Sequence, residues 1–259
     1  MTALTHLRAL GKHPGLLKHY QPILLMSHMR ANTSLLGHVL GSNPEIEGYY
    51  ELHIGYYSWK SLIRQKLLHF ARHAPKSSAR FMFDKVLHDD HFVDLSLFQR
   101  GKVIFALRPP EKTIRSIVSL YRSVEPNHPY TDSESATQYY ISRIQSLARI
   151  ASASPTAFLY LDADALREDA PRTLQSISGF LGLKTPLDEN YKKQPLTGAE
   201  KAGDSSESII SGKIERITRD YGHISVAEAD LAEAAHQFKL ARSTILESMQ
   251  CVAKVLQDA

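Results

Sequence analysis

The sequence predicts an α/β fold in which helices cover both faces of a parallel sheet of about four to five strands. Short apolar runs, typical of buried strands, alternate along the chain with segments of helical periodicity. The run KVIFAL at 102–107 is apolar after its lysine, as parallel strands covered on both faces usually are. Strands separated by helices form parallel sheets with crossover helices. We therefore expect a P-loop-like, three-layer α/β/α domain with a helical C-terminal region.

The elements follow one another in that order. Strands are predicted at residues 23–26, 80–84, 102–107 and 157–161. Helices are predicted over 55–72, 91–99, 109–122, 136–153 and 225–256. Two more are predicted, one directly after the turn that follows the first strand and one after the fourth strand, ending near residue 182. Residues 184–208 are polar and rich in Gly, Pro and Ser. The chain is thus predicted to form a single domain, 1–259, with an α/β core at 21–183, a loop at 184–208 and C-terminal helices at 209–259.

The last predicted helix carries an apolar stripe with spacings of three and four residues. The stripe comprises Leu231, Ala234, Phe238, Ala241, Ile245, Ser248, Val252 and Val255. Packing against the protein's own core is favoured, and a homodimer through this helix is the alternative.

Composition and charge are those of an ordinary globular protein, with 43% hydrophobic residues, 22% charged residues and a net charge of +4. The chain lacks the concentrated basic stripe of nucleic-acid-binding proteins, so no nucleic-acid partner is predicted. The single cysteine, Cys251, excludes a disulfide framework and fits a reducing compartment. No apolar run has the length of a membrane span or of a signal-peptide core. These features predict a cytoplasmic protein.

The first strand is followed by a compact turn and a helical pattern, in the segment MRANTSLL (29–36). Backbone amides at a helix start, with the hydroxyls of Thr33 and Ser34, can bind an anion, and Arg30 can reach across it. Asn32 tolerates the left-handed conformation that a glycine usually supplies. Ordinary helix capping by Thr33 or Ser34 is the alternative, and the Walker pattern is absent.

A second anion site is predicted at the same edge of the sheet. Arg108 directly follows the strand 102–107, and Ser116 lies eight residues later, in the next helix. Ligands bind beyond the carboxyl ends of the strands in open α/β folds. Two anion sites at that edge predict a ligand with two separated phosphates.

These segments resemble motifs of the sulfotransferases that use 3′-phosphoadenosine 5′-phosphosulfate (PAPS). MRANTSLL resembles the 5′-phosphosulfate loop, P-[RK]-S-G-T-T-x-L, with Met29, Ala31 and Asn32 in place of Pro, Ser and Gly. RPPEKTIRS resembles the 3′-phosphate segment, R-D-P-x-x-x-x-x-S, with Pro109 replacing the acid. LREDAPRTLQSISGFLGL (166–183) resembles a structural motif of the family, although the preceding Arg-Tyr-Glu-Asp is replaced by Asp-Ala-Asp-Ala.

The resemblance implies that PAPS is the co-substrate and assigns residues to it. The implied PAPS-binding residues are Arg30, Ala31, Asn32, Thr33 and Ser34 at the 5′ end and Arg108 and Ser116 at the 3′-phosphate. Gly203 and Ser205 lie where the family folds a mobile loop over PAPS, and a disordered linker is the alternative reading of that segment.

The pattern is most similar to that of tyrosylprotein and carbohydrate sulfotransferases, which implies three catalytic residues. Glu51, in GYYELH, would be the general base, and Lys85 and Arg30 would neutralise charge on the leaving phosphate. His53 is the rival base, because the cytosolic branch of the family uses histidine. No metal is predicted, since side-chain cations supply the positive charge.

The acceptor is predicted only as a hydroxyl-bearing carbohydrate, lipid, alcohol or phenol. The aromatic residues after residue 48 could line its pocket or belong to the core: Tyr49, Tyr50, Tyr56, Tyr57 and Trp59. Two other functions remain open, namely a P-loop kinase with Asp162 as a magnesium ligand and a non-catalytic anion-binding protein.

Overall fold

The computed structural model describes residues 14–195, 207–216 and 220–257. Within these residues six strands form one sheet, in the order β2-β3-β1-β4-β5-β6, and every neighbouring pair is parallel. The strands are β1 (Gln21–Met26), β2 (Ile46–Glu47), β3 (Phe81–Val86), β4 (Lys102–Leu107), β5 (Phe158–Asp162) and β6 (Cys251–Val255).

Helices connect the strands and cover both faces of the sheet. They are α1 (Thr33–Ser42), α2 (Trp59–Phe70), α3 (Pro110–Val124), α4 (Ser133–Ser152), α5 (Ala165–Glu168), α6 (Ala170–Leu181), α7 (Glu207–Ile210) and α8 (Glu228–Glu247). Short 3₁₀ helices lie at Pro14–Leu17, Leu95–Arg100 and Pro129–Thr131. Across the described residues, none of the helices is both long enough and apolar enough to span a membrane.

Alternation along the central strand β1 divides the core in two. Leu24 and Met26 face a cluster that includes buried residues of α3, α4 and α8. Ile23 and Leu25 face a second cluster, with buried residues of α1 and α6. Side chains on successive strand positions point to opposite faces, so a strand that is apolar throughout must be covered on both. The three-layer α/β/α fold predicted from the sequence is therefore confirmed. The sheet has six strands instead of the predicted four to five, because β2 and β6 add to the four strands that the sequence placed.

The C-terminal region differs from the helix predicted over residues 225–256. Helix α8 ends at Glu247, because Ser248 adopts an extended conformation (φ −59°, ψ 132°). The next residues form β6, which pairs with β5. In that strand Val255 is buried and Val252 is 62% exposed, an alternation of period two that the stripe of helical spacing concealed.

The part of the apolar stripe that lies on α8 packs inside the chain. Ala234, Ala241 and Ile245 are buried in the cluster with α4, and Phe238 packs against it. Packing on the protein's own core, the favoured interpretation, is what the structure shows for these residues. A homodimer through α8 stays a prediction and would have to use other side chains, such as Leu240, which is half exposed.

Candidate active site

The loop between β1 and α1 has two residues in the left-handed backbone region although it contains no glycine. Arg30 (φ 63°) and Asn32 (φ 54°) both lie in the left-handed region, which non-glycine residues seldom adopt. Asn32 therefore adopts the conformation that its side chain was expected to tolerate. Its side chain makes no capping bond to α1. Instead, Asn32 Nδ2 donates to Ala163 O (2.9 Å) and Asp164 Oδ1 (3.1 Å), which ties the loop to the end of β5.

The two predicted anion sites are in direct contact. Arg30 Nε donates to Ser116 Oγ at 2.8 Å, across the gap between the loop and α3. Arg108 Nη1 donates to the backbone oxygen of Arg30 at 3.2 Å. Ser116 Oγ in turn donates to the hydroxyl of Tyr221, 3.0 Å away. The fold thus places two guanidinium groups and a hydroxyl at one edge of the sheet.

Asp164 is a residue of this site that the sequence analysis missed. Its Oδ1 atom accepts from Arg108 Nε at 2.8 Å and from Asn32 Nδ2 at 3.1 Å. Arg167 Nε then donates to Asn32 Oδ1 at 3.1 Å, so Asn32 is held from both ends of its amide. The sequence carried a signal for it, because Asp164 lies two residues after the end of β5 and the carboxyl ends of parallel strands meet at one edge of the sheet.

A buried histidine fixes the distance between the loop and the end of β4. His28 Nδ1 lies 2.9 Å from Met29 O, and His28 Nε2 accepts from the backbone N–H of Arg108 at 3.0 Å. Burial lowers the pKa of His28 to about 3, so the ring is neutral and carries its proton on Nδ1. A neutral ring that both donates and accepts is what this bridge requires.

Arg143, from α4, holds the start of the same loop and was not predicted. Its guanidinium donates to Ser27 O (2.9 Å) and Val86 O (2.7 Å), at the ends of the neighbouring strands β1 and β3. A third bond, of 2.6 Å, joins it to Asp89. The side chain is 2% exposed and is satisfied by these contacts.

The predicted base, Glu51, lies beyond β2 in a segment that turns against β3. Gly48 makes this turn possible, because its φ is 83° and an added Cβ would lie 2.3 Å from Phe83 O. The Glu51 side chain is 9% exposed. Its Oε1 atom has no hydrogen-bond partner within the part of the chain that the structure describes. Burial raises the pKa of Glu51 to about 7, although the charges of Lys85 and Arg143 act in the opposite direction.

Two histidines lie beside this carboxylate. His53 Nδ1 is 3.5 Å from Glu51 Oε1, and His91 Nδ1 is 3.8 Å from the same atom. His53, the rival base, is 55% exposed and has a left-handed backbone (φ 52°). Burial lowers the pKa of His53, and the charge of Lys85 lowers it further. The structure thus brings both candidate bases to one place.

Lys85 lies near the predicted base, Glu51, and contacts the start of α1. It lies within β3, is buried, and donates from Nζ to Ser34 Oγ at 3.2 Å. Its neighbour Asp84 accepts from the Tyr56 hydroxyl (2.5 Å) and from the backbone N–H groups of Leu52 (3.1 Å) and Lys85 (2.8 Å). Those bonds hold the segment that carries Glu51 against β3, which explains how Glu51 and Lys85 come to share one site.

The remaining predicted residues have different positions. Asp162, the magnesium ligand of the kinase alternative, accepts from Arg242 Nε (2.9 Å) and Nη2 (2.7 Å), and this pairing leaves it unsuited to bind a cation. Among the aromatic residues considered for an acceptor pocket, Tyr49, Tyr50 and Tyr56 are buried, whereas Tyr57 and Trp59 are exposed. Gly203 and Ser205 lie outside the described residues.

Several solved structures share this fold. The sulfotransferase domain from the Synechococcus PCC 7002 olefin synthase is 18% identical, with a TM-score of 0.52 over 86% of this chain and 96% of that chain. Mouse sulfotransferase SULT7A1, solved with PAP, is 16% identical, with a TM-score of 0.52 over 96% and 92% of the two chains. Sulfotransferase STF9 from Mycobacterium avium is 13% identical, with a TM-score of 0.52 over 96% and 82%.

The likeness is one of three-dimensional structure and extends over most of each chain. No family model matches the sequence. No curated protein matches it either. Because its structure matches these solved sulfotransferases over most of each chain, the protein has a fold of the PAPS-dependent sulfotransferase type, as its motifs predicted.

Proposed function

We propose that this protein transfers the sulfuryl group of PAPS to a hydroxyl of an acceptor and releases adenosine 3′,5′-bisphosphate (PAP). One observation carries the proposal. Glu51 is a buried carboxylate with an unpartnered oxygen and a pKa of about 7, and it shares its site with Lys85, which reaches Ser34 at the start of α1. A proton acceptor beside a cationic anion site is the arrangement that sulfuryl transfer to a hydroxyl requires.

The residues present fit PAPS. Its 5′ end would be held by the loop backbone of Ala31 and Asn32, by Thr33 and Ser34, and by Arg30. The left-handed conformations at Arg30 and Asn32 reproduce the backbone turn that glycines usually make in such loops. Its 3′-phosphate would be held by Arg108 and Ser116. The mouse sulfotransferase of similar fold was solved with PAP, which supports this choice of nucleotide.

Each side chain has one task in the transfer, for which PAPS supplies the activated sulfuryl group. Glu51 Oε1 accepts the proton of the acceptor hydroxyl while the hydroxyl oxygen forms a bond to sulfur. Lys85 and Arg30 stabilise the negative charge left on the 5′-phosphate when the sulfur–oxygen bond breaks. A base with a pKa near 7 is well matched to this task, because it is ionised in a large fraction of molecules and still basic.

The surface beside Glu51 favours an acceptor with an apolar part. Phe92 directly follows His91, and its ring stacks on that of Tyr57 at a centroid distance of 5.4 Å. Both rings are more than half exposed, at 54% and 62%. Exposed aromatic side chains that stack in pairs are a common feature of binding surfaces for apolar groups. An acceptor with an aromatic or other apolar face, such as a phenol or a lipid alcohol, would suit these rings.

The function is tested by transfer of label from sulfur-labelled PAPS to phenol, lipid-alcohol and carbohydrate acceptors. We expect labelled product with at least one phenol or lipid alcohol, in buffer containing EDTA, because side-chain cations neutralise the leaving group. Transfer of phosphate from ATP, or a strict requirement for Mg²⁺, would instead favour the kinase reading.

Nucleotide binding gives a second test, independent of the acceptor. PAP at about a hundredfold excess over its Kd should stabilise the protein by about 2.7 kcal/mol and raise Tm by about 5–10 °C for a chain of this size. ADP and ATP should do much less, since each fills only one of the two anion sites. In Arg108→Ala the affinity for PAP should fall by about ten- to a hundredfold, because a charged hydrogen bond to phosphate is lost.

Arg122→Ala is the matched control for this experiment. Arg122 lies on α3, the helix that carries Ser116, but it is exposed and donates to Thr131 O. The substitution Arg122→Ala removes the same charge as Arg108→Ala and should leave PAP affinity unchanged. Equal PAP affinity of Arg108→Ala and the unmodified protein would show that the 3′-phosphate site is elsewhere.

A further inference from the structure

The carboxylate and the two imidazoles beside it form a set of metal-ligand atoms from different parts of the chain. Glu51 and His53 come from the segment after β2, and His91 comes from the loop after β3. One ligand atom from each residue lies within 4.8 Å of the other two. The shortest separations are 3.5 Å, from Glu51 Oε1 to His53 Nδ1, and 3.8 Å, from Glu51 Oε1 to His91 Nδ1.

These separations are close to those of a tetrahedral zinc site. With Zn–N and Zn–O bonds of about 2.0–2.2 Å, the ligand atoms of a tetrahedral ion lie about 3.3–3.5 Å apart. The two separations from Glu51 are within about half an ångström of these values, and the imidazole atoms lie within 4.8 Å of each other. Three protein ligands of the type His₂Glu leave a fourth position for water, as in open zinc sites.

Glu51 supplies the observation that points to a ligand rather than to packing. Its side chain is nine-tenths buried, yet its Oε1 atom makes no hydrogen bond within the described residues and faces both imidazoles. An unsatisfied buried carboxylate oxygen costs free energy, and a bound cation would remove that cost. His53, which is 55% exposed, leaves a path from solvent to the site.

We propose that Glu51, His53 and His91 bind a zinc ion, and that zinc inhibits the enzyme by occupying the general base. The binding site stands on the geometry alone, whereas the inhibition rests on the proposed function. A zinc-bound Glu51 oxygen cannot accept the proton of the acceptor hydroxyl, so the zinc-loaded protein keeps its nucleotide site and loses the proton transfer.

Zinc is favoured over the common hard cations by the donor set. Imidazole nitrogens bind Zn²⁺ well, whereas Mg²⁺ and Ca²⁺ require six or more oxygen ligands, and only one carboxylate lies in this cluster. The charge of Lys85 near Glu51 also opposes a weakly bound cation.

Binding is measured directly, by competition for Zn²⁺ with a chromophoric chelator on the full chain without nucleotide. We expect one zinc per chain, and Co²⁺ in its place should give the visible absorption of a tetrahedral site. Loss of a residue that only hydrogen-bonds to a metal ligand typically weakens metal binding by about ten- to a hundredfold. His91→Ala removes a ligand itself and should weaken zinc binding by more than that. His88→Ala is the matched control, because His88 lies in the same loop but outside the cluster.

The outcomes separate this inference from the proposed function. No zinc binding, or equal binding by the unmodified protein and His91→Ala, would overturn the zinc site even if transfer from PAPS is observed. Zinc binding that His91→Ala abolishes and His88→Ala retains would support the site even if no transfer occurs. In an active preparation, zinc should lower turnover by about a hundredfold or more and leave PAP affinity unchanged, and EDTA should restore the rate. Inhibition that persists in His91→Ala would contradict the proposed mode of inhibition.

Discussion

Replacement of Glu51 by glutamine should lower turnover by about 10²–10⁴-fold and leave PAP binding nearly unchanged. Glutamine preserves the shape of the buried side chain but cannot accept a proton. The nucleotide residues Arg108 and Ser116 lie on other elements and are untouched by the change. The measurement is the single-turnover rate with saturating PAPS in EDTA, together with PAP affinity from thermal unfolding.

His53→Asn is the control for the choice of base. Asparagine tolerates the left-handed conformation that His53 adopts, so the backbone should keep its form. We expect a small loss of rate in His53→Asn and a large one in Glu51→Gln. The reverse order would transfer the role of base to His53, and near-normal turnover in Glu51→Gln would remove Glu51 from the mechanism.

The dependence of rate on pH distinguishes the same two bases. A general base works only when deprotonated, so kcat/KM should fall as pH decreases through the pKa of the base. For Glu51 that limb should be centred at a pH of about 7, because burial raises its pKa. For His53 it would lie below the ordinary histidine value of about 6.5, since burial lowers its pKa. The limb near pH 7 should be absent from Glu51→Gln.

The sequence was sufficient to predict the fold and the turn between β1 and α1, because both depend on local patterns. Strand β1 is apolar at every buried position, and the polar turn after it ends at a helix start, so Arg30, Thr33 and Ser34 could be placed without a structure. The left-handed conformation of Asn32 followed from its side-chain chemistry. That of Arg30 did not, since an arginine has no local preference for it and the surrounding contacts impose it.

Contacts between distant parts of the chain could not be predicted from local sequence patterns. His91 lies 40 residues after Glu51, so no spacing rule for metal ligands connects them, and only the packing of two loops brings them together. Strand β6 was missed for a related reason. Its five residues continue a stripe of helical spacing, and only pairing with β5 makes them a strand.

Replacement of Lys85 by methionine should lower turnover by about 10²–10³-fold, as loss of a group that stabilises developing negative charge typically does. Methionine retains the apolar stem of this buried side chain and removes only the ammonium group, which contacts Ser34. Because the loss concerns the leaving group, a more acidic acceptor should restore little of the rate. The same acceptor should partly rescue Glu51→Gln, since its proton needs less assistance. The measurement is the single-turnover rate across a series of substituted phenols.

The variant should also move the pH profile in a direction that a merely structural role for Lys85 would not. The charge of Lys85 lowers the pKa of Glu51 against the effect of burial. Without that charge, burial is opposed only by the more modest effect of Arg143, so the pKa of Glu51 should rise above about 7 and the ascending limb should shift to higher pH. Lys102→Met is the matched control. Lys102 is also a strand lysine, but it lies at the start of β4, whereas Lys85 lies near the end of β3, and it packs on Phe180. It should leave both the rate and the limb unchanged. An unshifted limb in Lys85→Met, with a normal rate, would mean that Lys85 neither faces the base nor assists the leaving phosphate.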